Sequence, residues 1–220
     1  MIAKSDRDEL LLGIDEAGRG PVIGPMVIAG FAIPESRLTE LEELGVKDSK
    51  KLSPKKRNEI GSALRAMNGV MIDEEIVFPM EIDLAVTNRS VTLNGLEISK
   101  MAAIIDKIQA DAAYIDLIGA SEEKFIKSIS RLVSKLPRMV CKHKADSTYL
   151  VTAAASIIAK TRRDSEIEKI CERFMDRYGP LGSGYPSDAV TVSFLKSAYM
   201  EDGIFRKTWS SYKRVVNSMN

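Results

Sequence analysis

Asp15 and Glu16 stand side by side at the end of a largely apolar run, Glu9-Leu10-Leu11-Leu12-Gly13-Ile14, and lead directly into Ala17-Gly18-Arg19-Gly20-Pro21-Val22-Ile23-Gly24-Pro25. The run reads as a short half-buried strand, and the turn after it needs backbone shapes that glycine and proline supply. Two carboxylates about 4 Å apart repel by about 4 kcal/mol at an effective dielectric of about 20, so the pair calls for a cation. Magnesium meets that need with hard oxygen ligands, taking one or two carboxylates and phosphate oxygens from its substrate.

Two further acids follow predicted strands: Asp116 after Tyr114-Ile115, and Asp146 after His143-Lys144-Ala145. In α/β sheets the C-terminal strand edge is where sites collect. Each acid alone has an ordinary role as a turn residue or helix cap. Four acids delivered to one edge, however, repel one another strongly without cations. The glycine loop lacks the Lys-Ser/Thr of a P-loop and misses the dinucleotide spacing by one residue. Amides at Gly18 and Gly20, with Arg19 between, can instead hydrogen-bond a sugar hydroxyl or a phosphate of a polymer, a role compatible with a tight turn.

His143 is the only histidine, so a Ser-His-Asp or Cys-His mechanism would rest on it, and no nucleophile-elbow pattern supports one. With Lys142 and Lys144 on either side it reads equally as a phosphate-facing group or as a structural histidine. Tyr185, between Gly184 and Pro186, is placed either to stack on a base or sugar or to pack between chain segments. Trp209 and the methionines read as core; Asp48, Asp111 and Asp164 read as turn, helix-end or ion-pair residues.

The elements that must position these groups follow from pattern. Strands are expected at 9–14, 26–33, 69–78, 112–116 and 139–142. Helices are expected at 37–44, 53–67 (Ser53 capping, Pro54 first), 91–108, 121–136, 148–174, 188–199 and 211–216. Strand, helix, strand, helix in the second half implies parallel neighbours, and an antiparallel first half makes the sheet mixed. The turn-rich segment Gly179 to Pro186 marks a boundary, so a catalytic domain is expected over 1–176 and a small C-terminal helical unit over 177–220.

The net charge is only +1, yet the charges are segregated. Lys47, Lys50, Lys51, Lys55, Lys56 and Arg57 enclose the single acid Asp48, and Arg138, Lys142, Lys144, Lys160, Arg162 and Arg163 enclose Asp146. Asp73, Glu74, Glu75, Glu81 and Asp83 offset them in the sum. Two basic runs, each beside or around a candidate acid, point to a surface that tracks phosphates. No apolar stretch nears the ~20 residues that span a bilayer, and the acid-bearing start is unlike a signal peptide; a cytoplasmic protein with no membrane partner is expected. Cys141 and Cys171 lack zinc-ligand spacing and read as reduced, structural thiols.

Asp15-Glu16-Ala17-Gly18-Arg19-Gly20-Pro21, Lys47-Asp48-Ser49-Lys50-Lys51-Leu52-Ser53, Tyr114-Ile115-Asp116, Lys142-His143-Lys144-Ala145-Asp146, Ala153 to Lys160, and Gly182-Ser183-Gly184-Tyr185-Pro186 together resemble ribonuclease HII, the type 2 ribonuclease H family. The resemblance implies a ribonuclease H-like α/β fold, a mixed five-stranded sheet flanked by helices with a small C-terminal helical unit. It implies cleavage of the RNA strand of RNA·DNA hybrids, and cutting at single ribonucleotides embedded in duplex DNA during replication and repair. By it, Asp15, Glu16, Asp116 and Asp146 are the catalytic, metal-binding acids for two Mg²⁺ or Mn²⁺ ions, and the products carry 5′-phosphate and 3′-hydroxyl ends. Gly18, Arg19 and Gly20 correspond to the segment that senses the 2′-hydroxyl, Tyr185 to the tyrosine at the ribo-to-deoxyribo junction, and Lys47, Ser49 and Lys50 to a backbone-contacting segment. His143 and Lys144 join the expected substrate contacts, and a monomer is expected. No glutamine-led, aromatic-ended sliding-clamp motif stands near Val216 to Asn220, the only glutamine being Gln109. The rivals are a non-catalytic nucleic-acid clamp with structural acids, and another nuclease or recombinase of the same fold.

Overall fold

The computed structural model describes residues 7–46, 52–88 and 91–219; Lys47, Ser49 and Lys50, expected to contact substrate, lie outside them. Strands β1 (Leu10–Ala17) and β2 (Met26–Pro34) are buried over most of their length. With β3 (Met71–Val77), β4 (Ala112–Asp116) and β5 (Arg138–Lys142) they form one sheet in the order β3-β2-β1-β4-β5. Strands β1, β4 and β5 run parallel, with Ile14 opposite Ile115 and Ile115 opposite Cys141. The sheet is mixed and flanked by helices, as the alternating pattern of the chain implies.

Local chemistry sets the helix starts. Ser53 accepts a hydrogen bond from the Lys56 N–H, and Pro54 opens α2 (Pro54–Ala66), which follows α1 (Leu38–Leu44). Helix α4 (Leu93–Ile108) precedes β4, and α5 (Glu122–Ile129), capped by Ser121, returns the chain to β5. Helix α6 (Leu150–Tyr178) ends at Gly179, whose φ of +75° lies in the left-handed region that stops a helix. Helices α7 (Ala189–Ala198), capped by Asp188, and α8 (Ser210–Asn217) complete the described chain.

Two elements differ from the sequence reading. A helix, α3 (Pro79–Thr87), occupies a stretch to which the pattern assigns none; it buries only Pro79, Ile82 and Ala85 and leaves Met80 and Leu84 exposed, so its stripe is weak in sequence. Helix α5 stops at Ile129 instead of running to Leu136. Asp106 accepts hydrogen bonds from the N–H and hydroxyl of Ser134, tying that segment as a turn, and Leu132 and Leu136 stay exposed.

By contacts the chain forms two compact units. The first comprises the described residues within Met1–Glu16, Ile28–Glu75 and Glu97–Thr161, and the second those within Ala17–Val27, Ile76–Leu96 and Arg162–Asn220. The expected C-terminal unit, 177–220, falls wholly within the second. Leu12, Ile14, Ile28, Phe31 and Ile33 are fully buried in the first. In the second, Val22, Ile23, Phe174, Phe194, Phe205 and Tyr212 share a core in which Phe194 packs edge-on to Phe174.

One close approach within the first unit fixes how β1 and α6 meet. A β-carbon built on Gly13 would lie 2.1 Å from the carbonyl carbon and oxygen of Val151, so the β1 backbone rests directly on the start of α6. Thr152, on the same turn, donates to the Tyr114 carbonyl of β4 at 3.0 Å. A Gly13→Ala variant must push two backbones apart and is expected to lose about 3 kcal/mol of stability in urea denaturation. In Gly95→Ala the added carbon meets nothing closer than 3.5 Å, and the change is expected to stay within about 1 kcal/mol with stabilising sign. Equal effects of the two would refute the close-approach account.

Candidate active site

Parallel register delivers the acids. The paired rows of β1 and β4 end at Ile14 and Ile115, so Asp15 and Asp116 are the next residues on neighbouring strands. Asp116 accepts a hydrogen bond from the Ala145 N–H at 3.2 Å, and Ala145 opens the single 3₁₀ turn Ala145–Ser147 that carries Asp146. Lys144, at φ +58°, makes the left-handed corner that leads from β5 into this turn. Asp15, Asp116 and Asp146 thus come together from β1, β4 and the end of β5, and Glu16 follows on β1.

Burial makes this cluster electrostatically costly. Asp15 and Asp146 are only 5% and 4% exposed, whereas Glu16 and Asp116 are half-buried. Burial, then the charge of Glu16 and more weakly that of Asp146, push the Asp15 carboxyl up to about 7 from an ordinary 3.8. Hydrogen bonds from the Ser156 hydroxyl and the Glu16 N–H, the latter at 2.9 Å, act in the opposite direction. Ser156 is itself the acceptor for the Lys160 ammonium at 2.8 Å, so a cation reaches Asp15 through one hydroxyl. Pattern reasoning assigns Ser156 no role; the serine's place one turn along α6 from the Gly13 contact is a tertiary fact.

The donor set fits a hard divalent cation: carboxylate oxygens only, one of them pushed up to about 7 by burial and then by like charge. Among the described residues no group of three or more His, Cys, Asp or Glu side chains is arranged so as to hold a metal ion. An open arrangement is compatible with Mg²⁺, which keeps several waters and needs one or two carboxylates. Beside Asp146 lies a cleft of about 130 Å³ lined also by Glu42, Thr148, Tyr149 and Ala153. A larger groove of about 690 Å³, lined by Phe78, Met80, Leu84 and Phe205, contains none of the four acids.

His143 and Lys144 are exposed in the turn after β5. Lys142 lies over the Tyr149 ring at 5.9 Å. Cys141 and Cys171 are free thiols, and burial, with Glu122 nearby, pushes Cys141 up to about 12, far from a reactive thiolate.

The second unit holds the glycine loop. Gly18 has φ +84°, and a β-carbon on it would fall 2.3 Å from the Arg163 Nε, so only glycine fits. Gly20 is exposed, and the Tyr185 ring stands 3.4 Å from where its β-carbon would be. Tyr185 is 44% exposed, leaving ring surface available for stacking. The Arg19 guanidinium donates to Asn94 at 2.6 Å. Beneath the loop, Arg206 is fully buried and donates to the carbonyls of Gly18, Arg19 and Gly24. The guanidinium also lies 5.2 Å from the Trp209 ring, whose N–H donates to the Gly20 carbonyl. Trp209 is therefore a partner of the loop rather than simple core. Pattern reasoning misses Arg206; its one signal is a cation directly after the apolar pair Ile204-Phe205.

The family model for ribonuclease HII matches residues 12–212. A relative from Thermococcus sibiricus named ribonuclease HII is 43% identical, the alignment covering 94% of this chain and 91% of that protein. The crystal structure of ribonuclease H2 from Pyrococcus horikoshii is 36% identical and superposes with a TM-score of 0.83, covering 95% of this chain and 98% of the other. Ribonuclease HII from Archaeoglobus fulgidus, solved as a complex with PCNA, is 37% identical with a TM-score of 0.81, covering 91% and 95%. A parallel strand pair ending in acids, a glycine loop directly after the first of them and this breadth of identity have one common explanation: the chain belongs to the ribonuclease HII family, hydrolases of the RNA in RNA·DNA hybrids.

Proposed function

We propose that this enzyme cuts both long RNA·DNA hybrids and the 5′ side of single ribonucleotides embedded in duplex DNA, leaving 5′-phosphate and 3′-hydroxyl ends, with Asp15, Glu16, Asp116 and Asp146 as its metal-binding catalytic acids. The observation that carries the reading is the placement of Asp15 and Asp116 at the ends of the neighbouring parallel strands β1 and β4, with Asp15 and Asp146 almost wholly buried, where burial and then neighbouring acids raise the Asp15 carboxyl to about 7. A group so placed exchanges a proton for a divalent cation near neutral pH. Two Mg²⁺ or Mn²⁺ ions bound by these acids would supply an activated water for in-line attack and counter-charge for the leaving 3′ oxygen.

The chain's own residues do the positioning. Ser156 and Lys160 orient the Asp15 carboxylate, and the Ala145 N–H holds Asp116. On the substrate side the amides of Gly18–Gly20 read the 2′-hydroxyl. Tyr185 stacks at the junction where ribose gives way to deoxyribose. His143 and Lys144 face the phosphates. Such an activity serves ribonucleotide excision in DNA replication and repair.

A duplex carrying one ribonucleotide is expected to be nicked with Mg²⁺, spared with chelator, and an all-DNA duplex left whole. Asp116→Asn and Asp15→Asn are expected to lower the cleavage rate at least about a hundredfold, a loss of several kcal/mol of charge stabilisation. Duplex binding by gel shift should persist. Metal-dependent cleavage retained in either variant would remove the acids from the mechanism.

The proton on Asp15 gives a second test. Its folded value lies above the ordinary 3.8, so its contribution to stability is complete below that value and is lost as pH rises through about 7. A cation that displaces the proton reverses the loss. In thermal melts Mg²⁺ is expected to raise the Tm more at pH 8 than at pH 5, and Asp15→Asn should abolish this difference. An equal Mg²⁺ effect at both pH values would contradict it.

A further inference from the structure

Arg206 carries a full positive charge inside the second unit, with no exposed surface. The titratable groups that bear on it are Arg163, which repels it, and Tyr185 and Asp83, which attract it. Asp83 is occupied otherwise, accepting from the N–H groups of Lys207 and Thr208 and from the Thr208 hydroxyl. The partners of the guanidinium are main-chain carbonyls: Gly18 at 2.6 Å from Nη2, Arg19 at 2.8 Å from Nη1, and Gly24 at 3.1 and 3.0 Å from Nε and Nη2. Its own backbone is clamped under the same loop, since the Arg206 N–H donates to Val22, the Gly24 N–H donates to Ile204, and Ile23 bridges Phe205.

These contacts determine which way the loop faces. No cis peptide occurs among the described residues, and in a trans peptide plane the carbonyl and the following N–H point in opposite directions. With the Gly18 and Arg19 carbonyls drawn onto Arg206, the N–H groups of Arg19 and Gly20 must point away from it. We propose that Arg206 is the positioning residue for ribose recognition: by gathering the carbonyls of Gly18, Arg19 and Gly24 it orients the Arg19 and Gly20 amides toward the 2′-hydroxyl, and so sets the discrimination between ribose and deoxyribose. Trp209 assists through the Gly20 carbonyl at 3.3 Å. This rests on the reading of Gly18–Gly20 as the 2′-hydroxyl sensor. A lysine at 206 keeps the charge but lacks the planar fork that reaches three carbonyls at once.

The test is the ratio of affinities for a duplex with one ribonucleotide and an all-DNA duplex of the same sequence. It is measured by fluorescence anisotropy with Mg²⁺ in the Asp116→Asn background, which prevents turnover. Arg206→Met is expected to lower that ratio about fivefold or more, the worth of at least one hydrogen bond, while affinity for the all-DNA duplex stays near its starting value. Arg206→Lys should fall between, and Trp209→Phe should give a smaller loss. Near-UV circular dichroism and Tm report whether each variant is folded; if Arg206→Met is not, Arg206→Lys and Trp209→Phe carry the comparison. Folded variants that keep the full ratio would overturn the role of Arg206. A ratio of one in the Asp116→Asn protein with Arg206 intact would overturn the sensor reading itself.

Discussion

A carboxylate that is almost wholly buried next to other carboxylates is the constraint around which the first unit is arranged. Asp15 sits at the end of a strand whose pleat, register and neighbours place it against Glu16 and within the field of Asp146. Water screens it poorly there, so the protein must oppose like charge by other means. It does so with one hydroxyl, one backbone N–H and, behind the hydroxyl, one ammonium. Burial, and after it the remaining repulsion, raises the Asp15 carboxyl to about 7, the condition under which a divalent ion competes well for the site.

That arrangement depends on a missing side chain. Because Gly13 lets α6 lie against β1, Ser156 reaches Asp15 and Thr152 reaches β4 from the same helix. Any larger residue at 13 would lift the helix and separate the carboxylate from its donors. Stability and chemistry are therefore coupled through a backbone contact two residues away from the acid.

The second unit solves a different problem with a buried charge of opposite sign. A guanidinium without exposed surface requires acceptors, and Arg206 finds them in loop carbonyls rather than in a carboxylate. Carbonyl dipoles satisfy the arginine's donors without neutralising the region, where Arg163 adds a second buried cation. A loop held this way keeps a positive environment suited to a phosphate-bearing polymer.

Much of this was readable from local pattern. The end of β1, the strand and turn before Asp146, the Ser53-Pro54 helix start and the βαβ order of the second half all follow from periodicity, caps and glycine placement, which act over a few residues. So does the gathering of carboxylates at strand ends, because parallel strands with helical crossovers share one C-terminal edge. Helix α3 and the early stop of α5 were not legible, since a marginal apolar stripe and a turn tied by Asp106 to Ser134 depend on partners distant in sequence. Ser156 and Arg206 lie further still beyond pattern. Residue types alone determined that acids and a glycine loop must share a strand end; only the folded chain decided which hydroxyl faces Asp15 and which guanidinium turns the loop, because hydrogen bonds between residues 15 and 156, or 18 and 206, exist only once packing has closed those distances.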